Sequence, residues 1–322
     1  MSITIREFKP SGADYAILAD LLTRVWPEHP ETAADLKNTD DMRAKHLVIR
    51  RFCAEVDGVP VGYASFGHMM WLYDPQRFFI TGGVVQEFRQ RGVGKALYDH
   101  MLKCVEDEYS GNELHTWTTD DRESGKRFLE ARGFEEKMRS WESRLDPTDF
   151  DFEKFRYAEE RAAAAGITIK SFAELQEEAP HLMRKYYELE WVLEQDVPSP
   201  EKEKTKPPWE DWLRQHSPEN KEFTPDGVFF AIAPDGEYVG ITELNNYEGN
   251  GLLYTGLTGV RREWRRKSIA MALKLQAIRR AQQLGNRTVC TWNEQNNPMY
   301  LLNVKLGFVA QPAEIWYTNK LT

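Results

Sequence analysis

The chain has 322 residues, about twice the length of a typical single domain, which favours two domains over one small module. Hydrophobic residues make up 41% of the sequence and charged residues 29%, fractions that argue against a disordered or low-complexity chain. The formal net charge of −9 argues against broad electrostatic binding to nucleic acid or to an anionic membrane, so we expect neither as a partner.

No stretch approaches the ~20 consecutive apolar residues of a membrane helix, and residues 1–10 lack the apolar core of a signal peptide. These features predict a cytoplasmic protein. The three cysteines are far apart and odd in number, which indicates reduced thiols rather than a disulfide framework. The seven histidines show no spacing typical of a metal motif, and we therefore expect no bound metal.

The predicted elements of the first half follow a mixed α/β order. A first strand and a helical region precede a hairpin with strands at 49–55 and 61–66, and a further strand follows at 78–85. A helix is then predicted over 93–105, because Val93, Leu97, Met101 and Cys104 repeat at helical spacing and should face the sheet. A strand, a helix and a closing strand complete the half.

The second half repeats this order. Five segments of the first half match segments of the second half in the same order: residues 3–8 with 167–172, the Asp-Gly hairpin 57–62 with 235–240, residues 84–94 with 260–270, Trp117 with Trp292, and Gly133-Phe134 with Gly307-Phe308. The strand at 251–260 and the helix at 269–284, which ends at Gly285, correspond to the strand and helix around the third match. Because the matches keep their order, the sequence predicts a duplicated fold.

The boundaries follow from the repeat. We predict an N-terminal domain over residues 1–146, a helical linker over 147–166 that ends at Gly166, and a C-terminal domain over 167–322. The spacing between the halves grows before the second Asp-Gly hairpin, and the segment from Asp196 to Phe223 accounts for this insertion. We expect that segment to cover the site where an acceptor binds.

The clearest local motif is Arg-Gln-Arg-Gly-Val-Gly at residues 89–94, between a strand and an amphipathic helix. Glycines let the backbone approach a ligand, and the free N–H groups of the first helical turn attract a phosphate. The two arginines add positive charge. The motif therefore predicts a pyrophosphate site, or alternatively a simple strand-to-helix turn.

This motif resembles the coenzyme A loop of the GNAT superfamily of N-acetyltransferases, R/Q-x-x-G-x-G/A, and both halves carry a version of it after a strand. The resemblance implies two tandem GNAT folds, each a mixed, mostly antiparallel twisted sheet flanked by helices. It also implies acetyl-CoA as the acyl donor and direct transfer to a primary amine of a small molecule. By position, it implies coenzyme contacts at Val84, Val85, Arg89, Gln90, Arg91, Gly92, Val93 and Gly94, and at Thr258, Val260, Arg265, Arg266, Lys267, Ser268, Ile269, Ala270, Asn293, Asn296 and Asn297.

The halves depart from the family pattern differently. The first half keeps the complete loop, but Leu129 stands where many GNATs place a general-acid tyrosine. In the second half Ser268 replaces the first glycine of the loop, and Asn303 stands at the tyrosine position. The second-half asparagines bind coenzyme in the family pattern, or they cap a helix.

Glu243 is the candidate general base, because it lies on the strand after the second hairpin, where the first half has Ser65. Alternatively, Glu243 is a strand carboxylate that faces solvent and has no catalytic role. Tyr300, one helical turn before Asn303, is the candidate general acid, or else a packed aromatic. Glu190, Glu194 and Asp196 are further acidic residues that would suit a cationic acceptor, or would form a solvated face.

These asymmetries favour catalysis in the C-terminal half, with the first half as a degenerate copy that retains coenzyme affinity or supports the fold. Two alternatives stay open. In the first alternative, the first half is the catalytic one, because its loop is intact. In the second, neither half is catalytic, and the protein is an acyl-CoA-binding sensor or scaffold. A monomer and a homodimer are both compatible with the sequence.

Overall fold

The computed structural model describes residues 2–176, 181–201, 203–246, 251–285 and 287–321. The first half contains, in chain order, β1 (Ile3–Glu7), α1 (Gly12–Val25), α2 (Ala33–Met42), β2 (Ile49–Val56), β3 (Val59–Gly67), β4 (Arg77–Val84), α3 (Val93–Tyr109), β5 (Glu113–Thr119), α4 (Glu123–Glu130) and β6 (Glu135–Leu145).

Helix α5 (Arg156–Ala164) lies within the predicted linker, residues 147–166. The second half then contains β7 (Thr168–Ser171), α6 (Phe172–Leu175), α7 (Leu182–Glu194), α8 (Trp209–Gln215), β8 (Phe229–Ile232), β9 (Tyr238–Asn246), β10 (Leu253–Val260), α9 (Ile269–Gln283), β11 (Val289–Glu294), α10 (Pro298–Lys305) and β12 (Val309–Lys320).

The strands of the described residues belong to one twelve-stranded sheet, in the order β1-β2-β3-β4-β5-β12-β6-β11-β10-β9-β8-β7. Most neighbours are antiparallel, and helices flank the sheet, so the predicted mixed α/β fold class is confirmed. The closing strands are exchanged between the halves: β12 lies between β5 and β6, and β6 lies beside β11. The exchange joins the two halves through continuous backbone hydrogen bonding.

Each half has one parallel strand pair that separates after a few residues. Pairing between β4 and β5 ends at Phe79 and His115, and pairing between β10 and β11 ends at Tyr254 and Cys290. The strands diverge beyond these points because β5 and β11 continue in antiparallel pairing with the exchanged strands. A cleft therefore opens at the carboxyl end of β4 and another at that of β10.

The helices pack as the periodicity predicts. Val93, Leu97, Met101 and Cys104 of α3 are all buried in the core of the first half. Helix α5 packs on α9 through Ala158 and Ala162, and so places the linker beside the second half. Among the described residues, we find no helix with the length and apolarity that crossing a membrane requires.

Candidate active site

The loops that precede α3 and α9 have the same backbone shape. Residues Gln90 and Gly92 have φ angles of 60° and 85°, and the matching Arg266 and Ser268 both have 64°. The Nε atoms of Arg89 and Arg265 each donate a hydrogen bond over 2.9 Å, to the carbonyl oxygens of Val84 and Val260 respectively. Ser268 thus preserves the loop geometry at the cost of a strained left-handed conformation.

A cavity of about 1100 Å³ occupies the cleft of the second half. It extends from the loop before α9, through the gap between β10 and β11, to the side chains of α7 and α8. The predicted coenzyme residues that border it are Thr258, Val260, Arg265, Arg266, Ser268, Ile269, Ala270, Asn293 and Asn297. Lys267 and Asn296 do not border it; Lys267 lies over the ring of Trp264.

Side chains pack together beside β5 in the first half. Trp26, just after α1, packs against Trp117 of β5 with ring centroids 4.7 Å apart. The guanidinium of Arg122 lies 3.8 Å from the centroid of the Trp26 ring and donates a hydrogen bond to the carbonyl of Val25 over 2.8 Å. The first-half loop does not border the large cavity, so the structure does not bring Val84, Val85, Arg89, Gln90, Arg91, Gly92, Val93 and Gly94 to it.

Glu243 of β9 is buried and borders the cavity. Its carboxylate accepts hydrogen bonds from the hydroxyl of Tyr186, over 2.9 Å, and from the backbone N–H of Leu257, over 2.8 Å. The second bond depends on an irregularity in β10, whose register with β9 shifts between Thr255 and Thr258. In the first half, β3 and β4 pair without such a shift, and Ser65 bonds to a threonine across the strands.

Glu190 of α7 and His216, just after α8, complete this acidic cluster; one ligand atom from each lies within 4.8 Å of the others and of Glu243. Burial raises the pKa of Glu243 to about 7, and the nearby Glu190 contributes to the rise. Burial also raises the pKa of Glu190 and lowers that of His216. These raised pKa values place the protonation and deprotonation of the two carboxyl groups near neutral pH.

The tautomer of His216 follows from its contacts. Its Nδ1 lies 2.8 Å from the carbonyl oxygen of Trp212, which can only accept, so Nδ1 carries the proton. Its Nε2 then faces Glu190, 3.5 Å from Oε2. Glu190, His216 and Glu243 have the chemistry to hold a divalent cation, a possibility that the sequence spacing did not indicate.

A family model described as the acetyltransferase (GNAT) family matches residues 15–134 and 183–308. The chain belongs to the GNAT acetyltransferase family. A tandem GNAT protein from the clavulanic acid biosynthesis pathway has a similar structure, with a TM-score of 0.75 and 18% identity over 99% of this chain and 98% of that one. A GCN5-related N-acetyltransferase from Sphaerobacter thermophilus is also similar in structure, with a TM-score of 0.71 and 19% identity over 99% of this chain and 95% of that one. At these identities the likeness shows the fold. Among proteins of curated function, none matches the sequence significantly.

The GNAT tyrosine position is buried in this chain. Asn303 has no exposed surface, and its Nδ2 donates to Oδ1 of Asn293 at the end of β11. Tyr300 does not border the cavity; its ring packs against Trp141 of β6, with centroids 5.8 Å apart. Cys290 is fully buried, and burial raises the pKa of its thiol to about 12.

The asparagines divide between the two predicted roles. Asn297 caps α10, since its side chain accepts from the N–H of Met299 over 2.9 Å, and it also borders the cavity. Asn293 borders the cavity and is held by Asn303. Asn296 is exposed and bonds to Glu294 instead.

The inserted segment borders the cavity through several residues, among them Asp196, Trp212 and His216. The carboxylate of Asp196 pairs with Arg262 and Arg265. Its negative charge therefore offsets the positive charge of the loop before α9 and does not join the cluster around Glu243. Glu194 is paired with the buried Lys204, over 2.9 Å. Of the three predicted acidic residues, Glu190 alone joins the cluster around Glu243.

Sequence reasoning missed several residues of the cavity wall. Tyr157 and Arg161 come from the linker, and Arg161 donates to the carbonyl of Arg266 in the loop, over 3.1 Å. Lys274 of α9 also borders the cavity, although it is buried. The sequence does contain an indication that Lys274 is buried, because this lysine lies between Leu273 and Leu275 in an otherwise apolar run of α9.

Proposed function

We propose that this GNAT protein transfers an acetyl group from acetyl-CoA to a primary amine of a small molecule, and that the reaction takes place in the second half. The observation that carries the proposal is the single cavity that runs from the loop before α9 to the buried carboxylate of Glu243. A donor held at one end and an acceptor held at the other would meet in the gap between β10 and β11.

The coenzyme end of the cavity is suited to a pyrophosphate. The N–H groups of residues 268–270 begin α9 and carry the positive end of the helix dipole. Beyond Tyr254, β10 has no hydrogen bonds to β11, so the backbone of Thr258–Val260 on that side is available to the pantetheine arm. In the first half, Trp26 and Arg122 stack beside Trp117 of β5, and the first-half loop does not border the large cavity, which favours one coenzyme site per chain.

The acceptor end is suited to an amine. Glu190 and Glu243 provide negative charge, and Tyr187, Trp191 and Trp212 provide aromatic surface, which together favour an organic cation. Trp212 and His216 of the inserted segment line this end of the cavity, which favours a small molecule as the acceptor.

In the reaction, Glu243 takes a proton from the acceptor ammonium, directly or through a water molecule. The neutral nitrogen then attacks the thioester carbon, and the C–S bond breaks to release coenzyme A. The hydroxyl of Tyr186 and the N–H of Leu257 hold the carboxylate in place. Because its pKa is about 7, Glu243 is both ionised and basic enough to accept the proton near neutral pH.

The proposal is tested by incubating the protein with acetyl-CoA and a panel of primary amines and measuring the release of free coenzyme thiol. We expect amine-dependent release by the wild type and a mass increase of one acetyl group on the accepted amine. Binding of acetyl-CoA without release for any amine would contradict the proposal and would favour a sensor.

A further inference from the structure

Lys274 is a buried cation without a counter-ion. Its side chain has 2% exposure, yet it borders the cavity from α9. Within the described part of the chain, no side chain or backbone group forms a hydrogen bond or an ion pair with its ammonium. Its Nζ lies 5.4 Å from the centroid of the Phe308 ring. An ammonium in such a position is costly unless a ligand compensates it.

A second uncompensated polar atom lies on the neighbouring helix. Oδ1 of Asn303 in α10 is buried and has no hydrogen-bond partner among the described residues. Asn303 stands where many GNATs have a general-acid tyrosine, and its amide cannot supply a proton to a leaving group. The backbone carbonyl of Asn303 accepts from the N–H of Phe308, the residue over which Lys274 lies. Lys274 borders the cavity and Asn303 does not, so of these two polar side chains Lys274 is the one that a ligand in the cavity can reach.

We propose that Lys274 is the proton donor to the departing coenzyme A thiolate. This inference rests on the proposed function. After the amine attacks, the tetrahedral intermediate collapses and the C–S electron pair passes to sulfur. The sulfur then takes a proton from the Lys274 ammonium, which leaves a neutral amine on Lys274. The proton that Glu243 removed from the acceptor leaves to solvent, and solvent reprotonates Lys274, so the cycle is balanced.

Burial supports this role. It lowers the pKa of Lys274 to about 7, so that the ammonium releases its proton far more readily than an exposed lysine. The other ionisable side chains that border the cavity from elements packed on α9 are Tyr157 and Arg161 of α5, Glu243 of β9 and Lys305 of α10. Burial alone accounts for the lowered pKa, without a contribution from these groups.

The first half provides a natural contrast. Tyr98 occupies the position of Lys274, and Leu129 occupies that of Asn303. Both side chains are buried in the core, and Tyr98 packs against Phe128 and Phe134. The unpaired lysine therefore occurs only in the half whose cleft is open to a ligand.

The experiment compares wild type, Lys274→Met and Lys274→Arg in kinetics and in binding. Methionine keeps the length of the side chain but removes the proton, whereas arginine keeps the positive charge but does not release a proton near neutral pH. We expect both variants to lower kcat by ~10²-fold with little change in the KM for acetyl-CoA, and to remove the decline of kcat at alkaline pH.

A binding measurement separates this role from a structural one. Lys274→Met should weaken the binding of coenzyme A, whose thiol donates a hydrogen bond to the neutral amine of Lys274, and should leave the affinity for acetyl-CoA unchanged. Lys274→Arg should weaken the binding of coenzyme A as well, because a guanidinium cannot accept that hydrogen bond. Thermal unfolding of both variants checks that they are folded.

The outcomes are distinct. Retention of kcat and of the alkaline decline in Lys274→Met would overturn the inference while leaving the proposed transferase intact. Equal weakening of coenzyme A and acetyl-CoA would also overturn it, because the lysine would then act only in general binding. A wild type that turns over no amine would contradict the proposed function itself, and the comparison of coenzyme A with acetyl-CoA would still decide whether Lys274 contacts the thiol.

Discussion

The carboxylate of Glu243 occupies the space that a side chain at Gly256 would fill. A Cβ at Gly256 would lie closer to Oε2 of Glu243 than real Cβ contacts allow. Gly256 sits in the irregular part of β10, next to the N–H of Leu257 that binds the same oxygen. The glycine and the register shift together hold the carboxylate at the edge of the cavity.

Gly256→Ala should therefore displace Glu243 without altering the coenzyme loop. We expect kcat to fall at least about tenfold, which corresponds to about 1.4 kcal/mol, while the affinity for acetyl-CoA stays near wild type. Steady-state kinetics and calorimetry measure the two quantities. Gly94→Ala is the matched control, because a Cβ there would meet Phe128 at an ordinary 3.6 Å and outside the cavity. Equal kinetics of the two variants would contradict the role of Gly256.

Glu243→Gln should remove the ascending limb of the pH–rate profile. Because burial raises the pKa of Glu243 to about 7, the wild-type kcat/KM should rise with pH as the carboxyl ionises through this value. Glutamine cannot accept the proton, and we expect a loss of ~10²-fold at pH 7–8. The loss should shrink below pH 6, where the wild-type carboxyl is also protonated. Ser65→Ala, at the matching position of the first half, should leave the profile unchanged.

Ser268→Gly should stabilise the protein. Ser268 has a φ of 64°, a conformation that costs a residue with a Cβ ~1–2 kcal/mol and that glycine adopts freely. We expect the free energy of unfolding in urea to rise by ~1 kcal/mol, with the affinity for acetyl-CoA at least retained. Gly92→Ser introduces the same strain at a φ of 85° and should destabilise by a similar amount. No change in either variant would show that the loop is not strained.

Lys274→Met should stabilise the protein most at low pH. The pKa of Lys274 is about 7 when folded and higher when unfolded, so the unfolded chain binds more protons between these values. The cost of burying the ammonium is therefore complete below pH 7 and declines as the pH rises. We expect a gain of about 1–3 kcal/mol in the free energy of unfolding at pH 6 that is smaller at pH 9. A gain independent of pH would mean that burial does not lower the pKa of Lys274 in the folded protein.

Local signals predicted much of the fold. The helix over 93–105 forms within α3, and the strand and helix around Ser268 form as β10 and α9, since each depends on periodicity and on turn residues that lie close in sequence. Exchange of the closing strands was not predictable in this way. The position of β12 between β5 and β6 depends on pairing between residues such as Trp316 and Trp117, about two hundred positions apart.

The candidate site was predictable in type but not in arrangement. The loop motif pointed equally to both halves. The packing of Trp26 on Trp117 in the first half involves a residue more than sixty positions before the loop, so the motif gave no sign of it. Glu243 was identified from its asymmetry with Ser65, whereas its partner Tyr186 comes from a separate helix. Tyr300 was chosen by helical spacing alone, and the exchanged strand β6 supplies the tryptophan that it packs against.

The central claim is that the second half holds the coenzyme, and a calorimetric titration with acetyl-CoA tests it most directly. Arg89 and Arg265 make the same hydrogen bond over 2.9 Å in the two loops, so Arg89→Ala and Arg265→Ala form a matched pair. We expect one site per chain, an affinity about tenfold or more weaker in Arg265→Ala, and no change in Arg89→Ala. Two sites per chain, or loss of the site in Arg89→Ala alone, would contradict it.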